Sequence, residues 1–140
     1  MAFKEAKIID LPKICDPRGN LSFIEGNNHI PFKIERTYWI YDVPGGKTRD
    51  GHAFLTQEEF IVALSGSFDV VLNDGKGNKT IHHMSRSYFG LYVPPMTWRE
   101  LINFSTNSVA VVLSSTKYDA DDYIEDFEQF KAIVNNENDK

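Results

Sequence analysis

Glu59-Phe60-Ile61-Val62-Ala63-Leu64-Ser65-Gly66-Ser67-Phe68-Asp69-Val70-Val71-Leu72-Asn73-Asp74-Gly75-Lys76-Gly77-Asn78-Lys79-Thr80-Ile81-His82-His83-Met84 contains three short runs rich in β-branched and aromatic residues, divided by turn signals. Ser65-Gly66 reads as a tight hairpin turn, and Asn73 to Asn78 as another hairpin tip. Between them Phe68, Val70 and Leu72 share one face, while Ser67, Asp69 and Val71 share the other. The same pattern extends in both directions. Upstream, Glu35 to Tyr41 is strand-like and stops at Val43-Pro44-Gly45-Gly46; downstream, strands are expected at Tyr88–Val93, Thr97–Phe104 and Ser108–Ser115. Short strands at roughly 8–12-residue spacing predict an all-β sandwich or barrel.

Only the tail changes period. From Asp121 to Val134, Ile124, Phe127, Phe130, Lys131 and Val134 recur at helical spacing, and Asp121, Asp122 and Glu125 suit a helix N-terminus. One C-terminal helix capping the barrel is predicted, with a polar, frayed end at Asn135–Lys140. No repeat or linker divides residues 1–140, which read as one domain. At 140 residues, 41% hydrophobic and 13% aromatic, the chain has ample material for a core and is no disordered tail. No apolar run approaches the ~20 residues of a spanning helix. Met1–Lys13 lacks a signal-type apolar stretch, so the cytoplasm is the expected address. Cys15, the single cysteine, excludes a disulfide framework or a cysteine zinc site within the chain. A net charge of −5 argues against general nucleic-acid affinity.

A more specific spacing runs from Gly46 through His52, Phe54 and Glu59 to Gly66. It resembles the first motif of the cupin barrels, G-x5-H-x-H-x3-4-E-x6-G, with phenylalanine at the second histidine. The second cupin motif can be followed through Pro94, Met96, Arg99 and Asn103; its glycine is Met96 and its histidine is Arg99. The resemblance implies a cupin double-stranded β-helix, or jelly roll.

A narrower resemblance covers almost the whole chain. Asp16-Pro17-Arg18-Gly19-Asn20-Leu21, Ile30 to Tyr38, Arg49-Asp50-Gly51-His52-Ala53-Phe54, Gly90 to Trp98 and Tyr118 to Ile124 are similar to the nucleotide-sugar 3,4-ketoisomerases, whose central segment reads R-G-x-H-A-H. The family implies an isomerase acting on TDP-4-oxo-6-deoxyglucose in routes to amino sugars of surface polysaccharides. It also implies a metal-independent homodimer whose N-terminal strands cross between subunits.

Moving a ketone from C4 to C3 needs a base at C3, an acid at C4 and a donor for the enediolate oxygen. Histidine suits the first two tasks because its pKa lies near working pH. His52 keeps the first family position and is the candidate base. Phe54 cannot carry a proton, which leaves three readings open. Another inward residue returns the proton, with Tyr38, Tyr41, Glu59 and Tyr92 as candidates; or His52 alone shuttles it; or the chain keeps only the sugar-nucleotide pocket as a non-catalytic binding cupin. A related 3,5-epimerase is a further alternative. Arg49 is the candidate pyrophosphate or sugar contact, followed by Arg18 and Arg99, with Tyr41 and Tyr92 as aromatic contacts. Arg18 would act by reaching a neighbouring subunit's site.

Only His52 and Glu59 remain of a cupin metal set, and Arg99 brings a cation into a ligand's place, so no metal or other cofactor is expected. A carboxylate facing into a barrel needs a partner, and His52 or Arg49 is the expected one for Glu59. His82 and His83 point to opposite faces of one strand and are read as structural. His29 is read as solvated, the acids from Asp119 to Glu128 as an exposed helix face, and Cys15 as inert. Tyr38, Trp39, Tyr41, Phe60, Tyr92 and Trp98 are read as core or dimer interface.

Overall fold

The computed structural model describes residues 5–138, the side chains at positions 49, 50, 137 and 138 excepted. The elements are β1 (Lys7–Asp10), β2 (Lys13–Asp16), β3 (Gly19–Ser22), β4 (Arg36–Tyr41), β5 (Arg49–Phe54), β6 (Glu59–Ser65), β7 (Phe68–Asn73), β8 (Lys79–Met84), β9 (Phe89–Val93), β10 (Trp98–Ile102), β11 (Val109–Ser114), a 3-10 turn (Ala120–Asp122), β12 (Tyr123–Ile124) and α1 (Phe127–Asn138). Two antiparallel five-stranded sheets result, in the orders β1-β9-β6-β11-β4 and β12-β5-β10-β7-β8, with β2–β3 as a separate hairpin. This is the all-β architecture with a C-terminal helix that the strand grammar predicts, and the jelly roll that the resemblance implies.

Strand alternation sorts the side chains. Ile61, Ala63, Leu91, Val93 and Val112 of the first sheet meet Phe68, Val70, Leu72 and Leu101 of the second in one core. The outer face of the first sheet carries Phe60, Val62, Tyr92 and Leu113, covered by Leu11, Ile30 and Phe32. The outer face of the second carries Ala53 and Trp98 under Phe130 and Val134 of α1. Because β6 is covered on both sides, Glu59 through Ala63 are all buried, and Phe60 through Leu64 read as an apolar run without alternation.

Three expectations are corrected. Ser65-Gly66 does not join a hairpin: β6 pairs with β9 and β11, whereas β7 pairs with β8 and β10. The turn instead carries the chain from one sheet to the other. Gly66 has φ +67, and a Cβ there would lie 2.8 Å from the Ser108 Cα, so the crossing requires glycine. Met96 and Asn103, the second-motif positions, are also left-handed, with φ 58 and 57. The bend that glycine serves in the cupin pattern is therefore kept at Met96 with a side chain present, a conformation that costs about 1–2 kcal/mol.

The second correction concerns the tail. Asp121 and Asp122 belong to the 3-10 turn, not to the helix, and the helix runs past Val134 as far as Asn138. Asn135 extends it by donating from Nδ2 to the Gly75 carbonyl at 3.3 Å and the Lys131 carbonyl at 2.8 Å. Asp122 is buried, not a solvated acid; its carboxylate accepts from the Thr56 N–H at 2.9 Å, the Thr56 hydroxyl at 2.9 Å and the Gln57 N–H at 3.0 Å. Third, His29 is not simply solvated: its Nδ1 accepts from the Glu25 N–H at 2.8 Å and its ring meets the edge of Phe23. His82 and His83 bond to Thr80 and Asp69 respectively, as structural residues do.

Candidate active site

Alternation along β4 places Arg36, Tyr38 and Ile40 on the inner face, and Thr37, Trp39 and Tyr41 on the outer. In β5, His52 and Phe54 point inward together, while Ala53 points outward beneath α1. Register pairs His52 directly with Arg99 of β10, and a bulge separates that pair from Arg49 opposite Leu101. At this end of the barrel the apolar interior gives way to a cavity of about 540 Å³, lined by Arg36, Tyr38, Ile40, Thr48, His52, Arg99, Tyr118 and Tyr123.

The floor is a closed polar network. Arg99 donates from Nε to Glu59 Oε1 at 2.9 Å, and from Nη2 to Glu59 Oε2 at 3.3 Å and the Tyr38 hydroxyl at 2.7 Å. Tyr38 in turn donates to Glu59 Oε2 at 2.5 Å, where Gln57 Nε2 also donates at 3.1 Å. Burial works to raise the Glu59 carboxyl, but the Arg99 guanidinium and the bonds from Arg99 and Tyr38 outweigh it and hold it below the usual carboxylate range. Burial, reinforced by the Glu59 charge, pushes the Tyr38 phenol far above its ordinary value, and Arg99 offsets only part of that. Glu59 and Arg99 thus stay charged and Tyr38 stays protonated.

Above this floor stand Arg36, Tyr123 and His52. Arg36 Nη2 donates to Gln57 Oε1 at 3.2 Å and the Tyr123 hydroxyl at 3.4 Å, and its guanidinium lies 5.4 Å from the Tyr38 ring centre and 5.7 Å from that of Tyr118. The His52 ring packs edge-on to Phe54 at 4.9 Å and tilted to Tyr123 at 5.3 Å, and Phe54 and Tyr123 close the triangle at 4.6 Å. Tyr123 arrives there because β12 pairs with β5, setting it opposite Phe54. The Asp122 carboxylate pins the same join to the β5–β6 loop.

Of the expected residues, His52, Tyr38, Glu59 and Arg99 come together. The partner of Glu59 is Arg99, rather than His52 or Arg49, and that pairing neutralises the charge Arg99 was expected to offer a substrate. Tyr41 lies outside the site, 60% exposed on the outer face of β4, next to Trp39. Tyr92 is also outside the site: its ring is in the outer cluster and its hydroxyl donates to Glu58 Oε1 at 2.6 Å. Arg18 is at the exposed turn of the β2–β3 hairpin, bonded to Asp16, away from this chain's cavity. Arg49 begins β5, and its side chain lies outside the described residues. Gln57, Arg36 and Tyr123 were missed as site residues. The parity of β4 was the available signal for Arg36, whereas Tyr123 depends on a pairing between the tail and β5 that no local pattern announces.

The donor set does not fit a cupin metal. Glu59 is committed to Arg99, which sits opposite His52 in the strand register, and among the described residues no three His, Cys, Asp or Glu side chains cluster to hold an ion.

Residues 4–135 match the family model described as "FdtA: WxcM-like, C-terminal". The chain is 42% identical over 130 residues to a TDP-4-oxo-6-deoxy-alpha-D-glucose-3,4-oxoisomerase from Aneurinibacillus thermoaerophilus, with 93% of each protein covered. The 3,4-ketoisomerase QdtA from Thermoanaerobacterium thermosaccharolyticum, solved as a histidine-to-asparagine variant with TDP-4-keto-6-deoxyglucose, superposes with a TM-score of 0.92 at 30% identity, over 96% of both chains. The WlaRB TDP-quinovose 3,4-ketoisomerase from Campylobacter jejuni gives a TM-score of 0.87 at 39% identity, over 93% of this chain and 99% of that one. On the strength of both the fold and these matches, the chain belongs to the FdtA, WxcM-like C-terminal family.

Proposed function

We propose that this protein is a sugar-nucleotide 3,4-ketoisomerase, moving the ketone of a TDP-linked 4-keto-6-deoxyhexose from C4 to C3 by acid–base proton transfer. The observation that carries the reading is His52 at the wall of a cavity of about 540 Å³, above a polar floor, in a chain 42% identical to a 3,4-oxoisomerase. A cavity of that volume falls within the roughly 300–1,000 Å³ of small-molecule sites. The C4 carbonyl acidifies the C3 proton, and His52 is the base that removes it. Charge on the resulting enediolate needs fixed donors, and Arg36 at the cavity wall supplies a cation. Glu59 does not compete for the C3 proton, because it is locked to Arg99. Arg49 is the proposed contact for the pyrophosphate.

A homodimer fits the outer surface. Trp39, Tyr41 and Leu64 are about 60% exposed together on the outer face of the first sheet, beside a groove that also takes in Val109 and Val111. A second copy on this face would cover them, and exchange of the N-terminal strands would carry Arg18 toward the neighbouring site. The proposed setting is the cytoplasm, in the synthesis of deoxy- or amino-sugars for surface polysaccharide.

The test is proton NMR of TDP-4-keto-6-deoxyglucose with the purified protein in deuterated water, alongside His52→Asn. Transfer of the ketone to C3, abolished in the variant, is the expected result. Binding without exchange at C3 would make this a binding protein, and exchange with the ketone retained at C4 would make it an epimerase.

A further inference from the structure

Phe54 stands where the cupin pattern has a second histidine, so any second proton carrier comes from elsewhere in the site. The geometry disposes of the candidates in turn. Tyr41 and Tyr92 lie on outer faces of the first sheet. Glu59 holds a bidentate contact with Arg99 and stays ionised. Tyr38 spends its proton on Glu59 and receives Arg99 on its oxygen.

Tyr123 is placed differently. Its ring packs 4.6 Å from Phe54 and 5.3 Å from His52, so it occupies the space beside the missing imidazole. Among the described residues its hydroxyl has one hydrogen bond, accepted from Arg36, and its own proton is committed to no acceptor. Arg36 is the second half of the device. Arg99 is balanced by Glu59, whereas among the described residues no carboxylate pairs with Arg36; its neighbours are Gln57, Tyr123 and two aromatic rings. A cation held that way stabilises negative charge that develops on an enediolate oxygen beside it.

We propose that Tyr123, supported by Arg36, is the second proton-transfer group of this site and stands in for the side chain that Phe54 lacks. The proposal rests on the ketoisomerase reading above. In the first step His52 takes the proton from C3, the C–H electron pair becomes the C3=C4 double bond, and the carbonyl pair moves onto O4. The O3 proton passes to O4. Tyr123 then gives its hydroxyl proton to C4 as the double-bond pair forms the new C–H bond, and an O3 lone pair closes the C3 carbonyl. The His52 imidazolium returns its proton to the phenolate, whose ring it touches, and both groups are restored.

The experiment compares the wild type with Tyr123→Phe and with Phe54→His/Tyr123→Phe, on TDP-4-keto-6-deoxyglucose in deuterated water, with TDP affinity and melting temperature measured for each. Tyr123→Phe is expected to keep TDP binding and loss of the C3 proton signal while ketone transfer falls by about 10²–10⁴-fold. The double variant is expected to recover at least a tenth of the wild-type rate through the restored histidine. Ketone transfer at the wild-type rate in Tyr123→Phe overturns the assignment and leaves the isomerase reading intact. Parallel loss of C3 exchange and ketone transfer, with no rescue by histidine at position 54, also overturns it. A wild type that neither exchanges C3 nor transfers the ketone defeats the isomerase reading itself.

Discussion

Glu59 and Arg99 form a fully buried ion pair that is further bonded to Tyr38 and Gln57. Removing either partner strands a charge where no solvent reaches it, which typically costs about 3–5 kcal/mol. Arg99→Met should therefore lower the unfolding free energy by about that amount in a denaturant titration. Adding Glu59→Gln should restore part of the loss, since the double variant leaves no lone charge; strictly additive losses would show that the two side chains do not act as a pair. The motif spacing singled out both residues, and a buried carboxylate had to have a cation. Which cation could not be read along the chain, because Arg99 reaches Glu59 only after β10 settles beside β5 with His52 opposite Arg99.

At the level of elements, the join between the tail and the β5–β6 loop is where fold and site meet. Asp122 accepts two backbone N–H groups and a hydroxyl, and the strand it precedes sets Tyr123 against Phe54. Asp122→Ala would leave the N–H groups of Thr56 and Gln57 without that acceptor, at about 1–3 kcal/mol for the buried Gln57 group. Amide exchange at Thr56 and Gln57 should accelerate well beyond that in β7 and β11, and ketone transfer should fall because Tyr123 loses its anchor. Unchanged protection at both amides would show that β12 pairing alone holds the join. The acids around Asp122 look in sequence like the solvated start of a helix, and helical spacing through Phe127, Phe130 and Val134 encourages that reading. The spacing was right for the packed face of α1, whose Phe130 and Val134 bury against the second sheet. The start was misplaced because Asp122 is drawn to backbone donors from a loop 65 residues away in sequence.

For the molecule as a whole, the unanswered surface is the outer face of the first sheet. Trp39, Tyr41 and Leu64 project from it into solvent in a single chain, and together with Val109 and Val111 they line a groove of about 510 Å³. Patches of this kind mark interaction sites, and the homodimer proposed above would bury this one. Trp39→Glu should shift the protein to a monomer in sedimentation velocity while leaving the far-ultraviolet spectrum of the barrel unchanged. A wild type that already sediments as a monomer at micromolar concentration would remove the homodimer from the proposal.

The amino-acid sequence by itself determined the strand grammar, the inward and outward alternation, the presence of a C-terminal helix and the motif positions of His52, Glu59 and Arg99. These are local or fixed-spacing properties: the period of two in a strand, the period of 3.6 in a helix, and turn residues that tolerate left-handed backbone. Only the tertiary structure decided which sheet each strand joined, that Arg99 neutralises Glu59, that Tyr41 and Tyr92 face away from the cavity, and that Tyr123 stands in the space beside Phe54. Each depends on strand register between segments far apart in the chain, where shifting a pairing by one residue would turn every side chain to the opposite face.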